Sequence, residues 1–209
     1  MTFKEYLKPL YRKLFPDHVY HLKKELRGCD LVLDLGCGPN SSLQDCKIPF
    51  SVGVELFEPY LKESQKKGIH NQYVKKDIAK VNFDSKSFDA VIIIDVIEHI
   101  NKEDGKLLLK KAENWAKKKI IIFTPNGFIG QNAFDENYLQ AHISGWSTQE
   151  FEKLGFRCFG LNGWKILRTH RAAFKKPIFF YRFFSELSQK IVYYYPKHAF
   201  HIFAVKNIK

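Results

Sequence analysis

Five short stretches carry side chains whose types and spacing suit chemistry. Asp34-Leu-Gly-Cys-Gly-Pro-Asn40 sets two glycines one residue apart behind an acid, and such a pair lets a backbone approach a bound ligand closely. Glu55 follows about one βα unit later, where a carboxylate can accept both hydroxyls of a ribose. Lys76-Asp77-Ile78 offers an acceptor for an adenine amino group and an apolar side chain for its ring. In Asp95-Val-Ile-Glu-His-Ile100, a helical start would put Asp95, Glu98 and His99 on one face, as a small acid/base or metal constellation. Thr124-Pro-Asn-Gly127 is placed to shape one side of a cleft. Each stretch has a plain structural alternative: a tight turn, a solvated carboxylate, a charged loop, or polar capping of a strand-to-helix turn.

What would make chemistry of them is their position at the ends of strands. Leu31–Leu35, Ser51–Glu55, a short strand containing Tyr73 and Val74, Phe88–Ile94 and Lys119–Thr124 are apolar, β-branched runs of the kind found in buried parallel sheets. Between them the pattern predicts helices over Pro59–Lys67, closed by Gly68, and over Lys102–Lys117. Alternation of this kind means a parallel sheet with right-handed crossovers, and such sheets bind ligands at the carboxyl ends of their strands. Residues 4–26 read as one or two helices broken at Pro9 and Pro16. Ser147, with Glu150 completing a capping box, opens a helix to about Leu154. Phe156–Leu161 and His198–Val205 read as two further strands around an aromatic, basic insert at about 169–196.

A chain of 209 residues is sized for one domain with a sizeable core, here 1–209 with N-terminal helices over about 1–27. No apolar run is long enough for a spanning helix, and Met1–Leu10 has no apolar signal core. A cytoplasmic protein is expected, with contact to a membrane surface as an added option. Cys29, Cys37, Cys46 and Cys158 show no zinc spacing and read as reduced, structural thiols. The net charge of +12 is concentrated: residues 161–209 hold ten basic side chains and one acid, whereas 31–160 are balanced. An anionic partner for the C-terminal part follows, either a membrane surface or a nucleic acid.

Taken together, residues of about 28–160 resemble the class I S-adenosylmethionine-dependent methyltransferases, in the broad group acting on O, N or C of small molecules. D-L-G-C-G-P-N is the most specific element, followed in order by F-D-A-V-I-I-I-D-V-I-E-H-I and T-P-N-G. Ser41 stands where a nicotinamide-type G-x-G-x-x-G loop has its third glycine; that absence is normal in the methyltransferases. The resemblance implies a Rossmann-like, doubly wound, seven-stranded, mainly parallel sheet with the last strand antiparallel. It implies S-adenosylmethionine as cofactor: Asp34, Gly36 and Gly38 around its methionine part, Glu55 on the ribose, Asp77 and Ile78 at the adenine, and Asp95 near the amine. The Glu98-His99 pair is also similar to a stretch linked to a divalent metal in ubiquinone-biosynthesis O-methyltransferases, although the pair occurs in relatives without metal; no metal ligand is assigned.

The reaction so implied is in-line attack on the sulfonium methyl carbon, for which the protein mainly supplies alignment. An oxygen acceptor also needs a general base, and His142 and His99 are the candidates. The insert, with Ile178–Phe184 and Ile191–Tyr195 interleaved by Lys175, Lys176, Arg182, Lys190 and Lys197, points to a small-molecule or lipid acceptor through an interfacial segment or lid. Its alternative is a pair of amphipathic helices packed on the sheet edge. A nucleic-acid methyltransferase is the weaker reading: Thr124-Pro-Asn-Gly127 lacks the N-P-P-Y type motif and no cysteine sits as a pyrimidine-attacking nucleophile would. A non-catalytic cofactor-binding module is the third.

Overall fold

A computed structural model describes residues 15–169 and 172–208. One mixed sheet of seven strands organises them, in the order β3-β2-β1-β4-β5-β7-β6. The strands are β1 (Leu31–Leu35), β2 (Phe50–Glu55), β3 (Gln72–Lys75), β4 (Phe88–Ile94), β5 (Ala116–Pro125), β6 (Arg157–Trp164) and β7 (Ala199–Asn207). β1 to β5 pair in parallel, and β7 runs antiparallel to both β5 and β6, as the resemblance implied. The helices are α1 (His18–Glu25), α2 (Glu58–Lys67), α3 (Lys102–Trp115), α4 (Thr148–Lys153) and α5 (Ile178–Tyr194).

The central strands carry unbroken apolar runs, such as Ala90–Ile94 and Ile120–Phe123, because both faces of the sheet are covered there. Leu33, Leu35, Val91, Ile93, Ile120 and Ile122 pack on one face with Leu108, Leu109, Ala112 and Trp115 of α3. The alternate residues Val32, Ala90, Ile92, Ile121 and Phe123 pack on the other with Leu22 and Leu26 from the α1 segment. α2 ends in Gly68 at φ +62°, a left-handed cap that suits glycine. Ser147 and Glu150 form the expected reciprocal capping box on α4.

Several boundaries differ from the sequence expectation. The helix expected over Lys102–Lys117 stops at Trp115, because Ala116 already pairs with Phe88 and β5 starts without a connecting loop. Only His18–Glu25 of the expected N-terminal helices is described, capped by the Asp17 side chain; the part before residue 15 lies outside the described residues. β6 runs past Leu161 to Trp164 through an irregularity at Asn162 and Gly163, both at positive φ. The insert holds one long helix, α5, rather than a pair.

The irregularity in β6 explains how α5 sits. A bulge frees backbone groups from the ladder, and buried groups of that kind need partners. Polar side chains of α5 meet them: Gly163 N–H donates to Gln189 Oε1 at 3.0 Å, Trp164 N–H to Ser188 Oγ at 3.0 Å, and Gln189 Nε2 donates to Gly160 O at 3.1 Å. The contact is close enough that a Cβ at Gly160 would stand 2.1 Å from the Val192 carbonyl oxygen. Gly160→Ala is therefore expected to lower unfolding stability by about 1–3 kcal/mol, measured by urea titration. Gly130→Ala, with nothing within 4 Å of the added carbon, should leave it unchanged within about 0.5 kcal/mol.

Candidate active site

A cavity of about 500 Å³ opens at the carboxyl ends of β1, β2 and β4, a size that suits a cofactor. Its walls bring together all seven positions assigned to cofactor binding: Asp34, Gly36, Gly38, Glu55, Asp77, Ile78 and Asp95. The turn after β1 is built by hydrogen bonds to β2. Gly36 N–H and Cys37 N–H both donate to Val54 O, at 2.8 and 3.0 Å. A Cβ at Gly36 would lie 2.6 Å from the Val96 side chain, and its φ is +69°, so glycine is required twice over. Glu55 uses both carboxylate oxygens locally: Oε2 accepts from Gly38 N–H at 3.0 Å and Oε1 from Phe57 N–H at 2.8 Å. Burial raises its carboxyl above the ordinary value against these hydrogen bonds.

Asp34 is buried at the base of the turn, where it accepts a hydrogen bond from Ser41 Oγ and lies 3.4 Å from His70 Nε2. Desolvation lifts its carboxyl to about 7 and depresses His70 to about 4, so the two do not form a strong ion pair at neutral pH. Ser41 and His70 were not anticipated. The one signal for Ser41 was its place at the missing third glycine; nothing local marked His70. His18 of α1 was missed as well. It reaches the cavity wall, hydrogen-bonded to Ser42 Oγ at 3.0 Å and stacked on Phe123 at 4.6 Å. Asp77 Oδ1 accepts from Ala79 N–H at 2.9 Å, which shapes the loop after β3 around buried Ile78.

Asp95, Glu98 and His99 do not start an α-helix. Asp95 has φ +52° and is followed by a single 3₁₀ turn, Ile97–His99, because Asp95 N–H is held by Phe123 O at the end of β5. The turn still aims all three at one place, a second cavity of about 300 Å³ that also includes His142, Phe200 and His201. Asp95, His99 and Gln140 line both cavities. Asp95 is open on its cavity side and enclosed by protein elsewhere; that partial desolvation raises its carboxyl. Glu98 is buried, accepts the Thr124 hydroxyl at 2.9 Å, and is raised by desolvation and then by the Asp95 charge.

The two histidines have defined tautomers. His99 Nδ1 donates to Ala141 O at 3.1 Å and His142 Nδ1 to Ile129 O at 2.7 Å, since a carbonyl only accepts. In the neutral rings this leaves both Nε2 atoms as acceptors. The rings lie 4.7 Å apart, and burial lowers both below the usual histidine value of 6.5. Both are therefore neutral at pH 7, as a general base must be. Among the described residues Glu98, His99 and His142 also offer ligand atoms within 4.8 Å of one another, so a divalent cation is a further group they could hold. His142 replaces Asp95 in the trio that the sequence pointed to.

Thr124-Pro-Asn-Gly127 is mainly a joint. Asn126 Nδ2 donates to the carbonyls of Pro196, Lys197 and Ala199 at 2.9–3.0 Å, fixing the start of β7. Burial holds the thiols in the protonated form, raising Cys46 to about 11 and Cys158 to about 12, and Cys37 higher still.

The sequence of residues 33–123 matches the family model of a methyltransferase domain. The matched stretch runs from within β1 to within β5 and takes in the turns at Gly36, Glu55, Asp77 and Asp95. A curated relative, a probable (S)-tetrahydroprotoberberine N-methyltransferase 2 of Papaver bracteatum, is 24% identical over 114 residues, covering 50% of this chain. The chain aligns to only 31% of that relative's length. Among solved structures, a SAM-dependent methyltransferase from Archaeoglobus fulgidus superposes with a TM-score of 0.57 at 23% identity, covering 95% of this chain and 98% of that one. A protein from Pyrococcus horikoshii OT3 gives 0.57 at 19%, with full coverage of both chains. Magnesium protoporphyrin IX methyltransferase from Synechocystis PCC 6803 with bound SAH gives 0.53 at 15%, covering 100% and 89%. At these identities the likeness is one of fold.

If Glu55 holds the ribose of the methyltransferase cofactor, Glu55→Ala should weaken S-adenosylhomocysteine binding by about 10- to 100-fold, the usual worth of hydrogen bonds to a charged acceptor. Isothermal titration calorimetry measures this, with a melting curve to show that the variant is folded.

Proposed function

We propose that the whole chain, 1–209, is a single methyltransferase domain that moves the methyl group of S-adenosylmethionine to a small-molecule or lipid-like acceptor, at an oxygen. The observation that carries the reading is the shared wall of Asp95, His99 and Gln140 between the strand-end cavity and the second cavity. A cofactor in the first and an acceptor in the second would meet there.

The residues present fit the cofactor. Gly36 and Gly38, both at positive φ, supply the close backbone, and Glu55, Asp77 and Ile78 line the same cavity, which supports ribose and adenine contacts there. Asp34, Glu55, Asp95 and Glu98 all have carboxyls raised by desolvation. A cationic ligand relieves such crowding, and the bound cofactor supplies an ammonium and an activated sulfonium methyl. On the other side, His142 Nε2 or His99 Nε2 accepts the proton of the acceptor hydroxyl, while Asp95 and the turn hold the reacting partners in line.

The second cavity, about 300 Å³ and walled in part by Pro125, Ile129, Ala172 and Phe200, favours a small apolar acceptor over a nucleic acid. Transfer to nitrogen, the activity in the name of the Papaver bracteatum relative, is the second reading; it needs the same alignment. The basic, aromatic C-terminal segment is what would bring the chain to a membrane surface.

Two outcomes test this. Raised carboxyls are partly protonated near neutral pH, so binding a cation favours their ionised forms. Cofactor binding should release protons and tighten as pH rises through about 7. Calorimetry in buffers of different ionisation enthalpy reads the release directly. With methyl-labelled cofactor and a panel of phenols and lipids, label should pass to an organic-extractable acceptor. His142→Ala should slow that transfer by about 10²-fold or more, and the wild-type rate should fall below pH 6.5 as the histidines are protonated. Labelling of RNA alone would contradict the acceptor class.

A further inference from the structure

Helix α5 presents its apolar side to solvent. The face toward the sheet is Ser185, Ser188, Gln189 and Val192, all buried. The opposite face carries Phe180, Phe183, Phe184, Leu187, Ile191 and Tyr194, all exposed. Phe179 at the start of the helix is 86% exposed and Tyr194 near its end 77%. A surface helix ordinarily buries its apolar stripe. Here the β6 bulge takes the polar side chains of α5 as hydrogen-bond partners, and the aromatic stripe is left outward. A continuous exposed apolar stripe of this length marks an interaction surface.

The surrounding charge selects the partner. Lys175 and Lys176 precede the helix, Lys190 lies on it and Lys197 follows it, all exposed. Glu186 is the one acid in residues 161–209, and it lies 3.6 Å from Arg182. A second copy docked stripe to stripe would bring lysine against lysine with no acid free to separate them, which opposes association. An anionic lipid surface answers both features, since aromatic rings settle at headgroup depth and lysines meet the headgroup phosphates. No described helix is long and apolar enough to cross a membrane, so α5 would lie in the plane of the interface.

We propose that α5 docks the protein on an anionic bilayer, with the Phe180–Tyr194 stripe in the headgroup region and the flanking lysines against lipid phosphates. This stands independently of which acceptor is methylated.

Cosedimentation of the full chain with unilamellar vesicles of phosphatidylcholine, with and without phosphatidylglycerol, tests it. The chain should partition strongly to the anionic vesicles and weakly to the neutral ones. Phe179→Ser, Phe183→Ser and Ile191→Ser combined should lower partitioning by at least about tenfold. Lys175→Ala with Lys176→Ala should lower it by about 30-fold. Both variants should keep the wild-type melting temperature and affinity for S-adenosylhomocysteine, so that failure of docking is distinct from failure of the methyl-donor site. Three results would overturn the proposal: no binding of the wild-type chain to anionic vesicles, equal partitioning of the triple serine variant, or light scattering that shows a dimer abolished by the serine substitutions.

Discussion

The site depends on one backbone turn. Two amide N–H groups, of Gly36 and Cys37, converge on the Val54 carbonyl, and the next free amide, of Gly38, donates to Glu55. These bonds tie the end of β1 to the end of β2 and close the turn against Val96, where no side chain fits at Gly36. A ligand at the strand ends therefore meets backbone rather than side chains on this wall. Glu55 is held in place by the same turn, so the position of its carboxylate is tied to the geometry of the loop.

Burying acids around such a cavity costs stability in the empty protein. For Asp34 the folded value of about 7 lies above the ordinary 3.8, so the fold favours the neutral acid. Stability contributed there is present at low pH and is lost as pH rises from 3.8 through about 7. Buried histidines work the other way. His201, stacked on Phe123 and lowered to about 3, and His21, lowered to about 4, disfavour the fold as pH falls below 6.5. Opposed slopes of this kind leave a stability maximum at intermediate pH, while the acids keep an unmet preference for a cation.

Local signals made much of this legible. Strands covered on both faces appear as unbroken runs such as Ala90–Ile94 and Ile120–Phe123, and glycine positions in Asp34–Asn40 report a turn that no other residue can make. Parts that depend on tertiary contact were hidden. Asp95, Glu98 and His99 share a cavity through a 3₁₀ turn pinned by Phe123 rather than through helical spacing. His18 and His70 reach the site from elements whose sequence carries no motif. The role of Asn126 as a clamp on residues 196–199 could not be read from a T-P-N-G turn. Nor could the outward aromatic face of α5, which follows from a strand irregularity 15 or more residues away in the chain.

The central claim is that the strand-end cavity is a methyl-donor site. Its most direct test is calorimetric titration of the folded chain, residues 1–209, with S-adenosylmethionine and, separately, with S-adenosylhomocysteine. Saturable binding of both ligands at one site per chain, with dissociation constants of about 1–100 µM as for an ordinary cofactor pocket, is the predicted result. No heat and no thermal stabilisation from either ligand, in a sample shown to be folded, would contradict it.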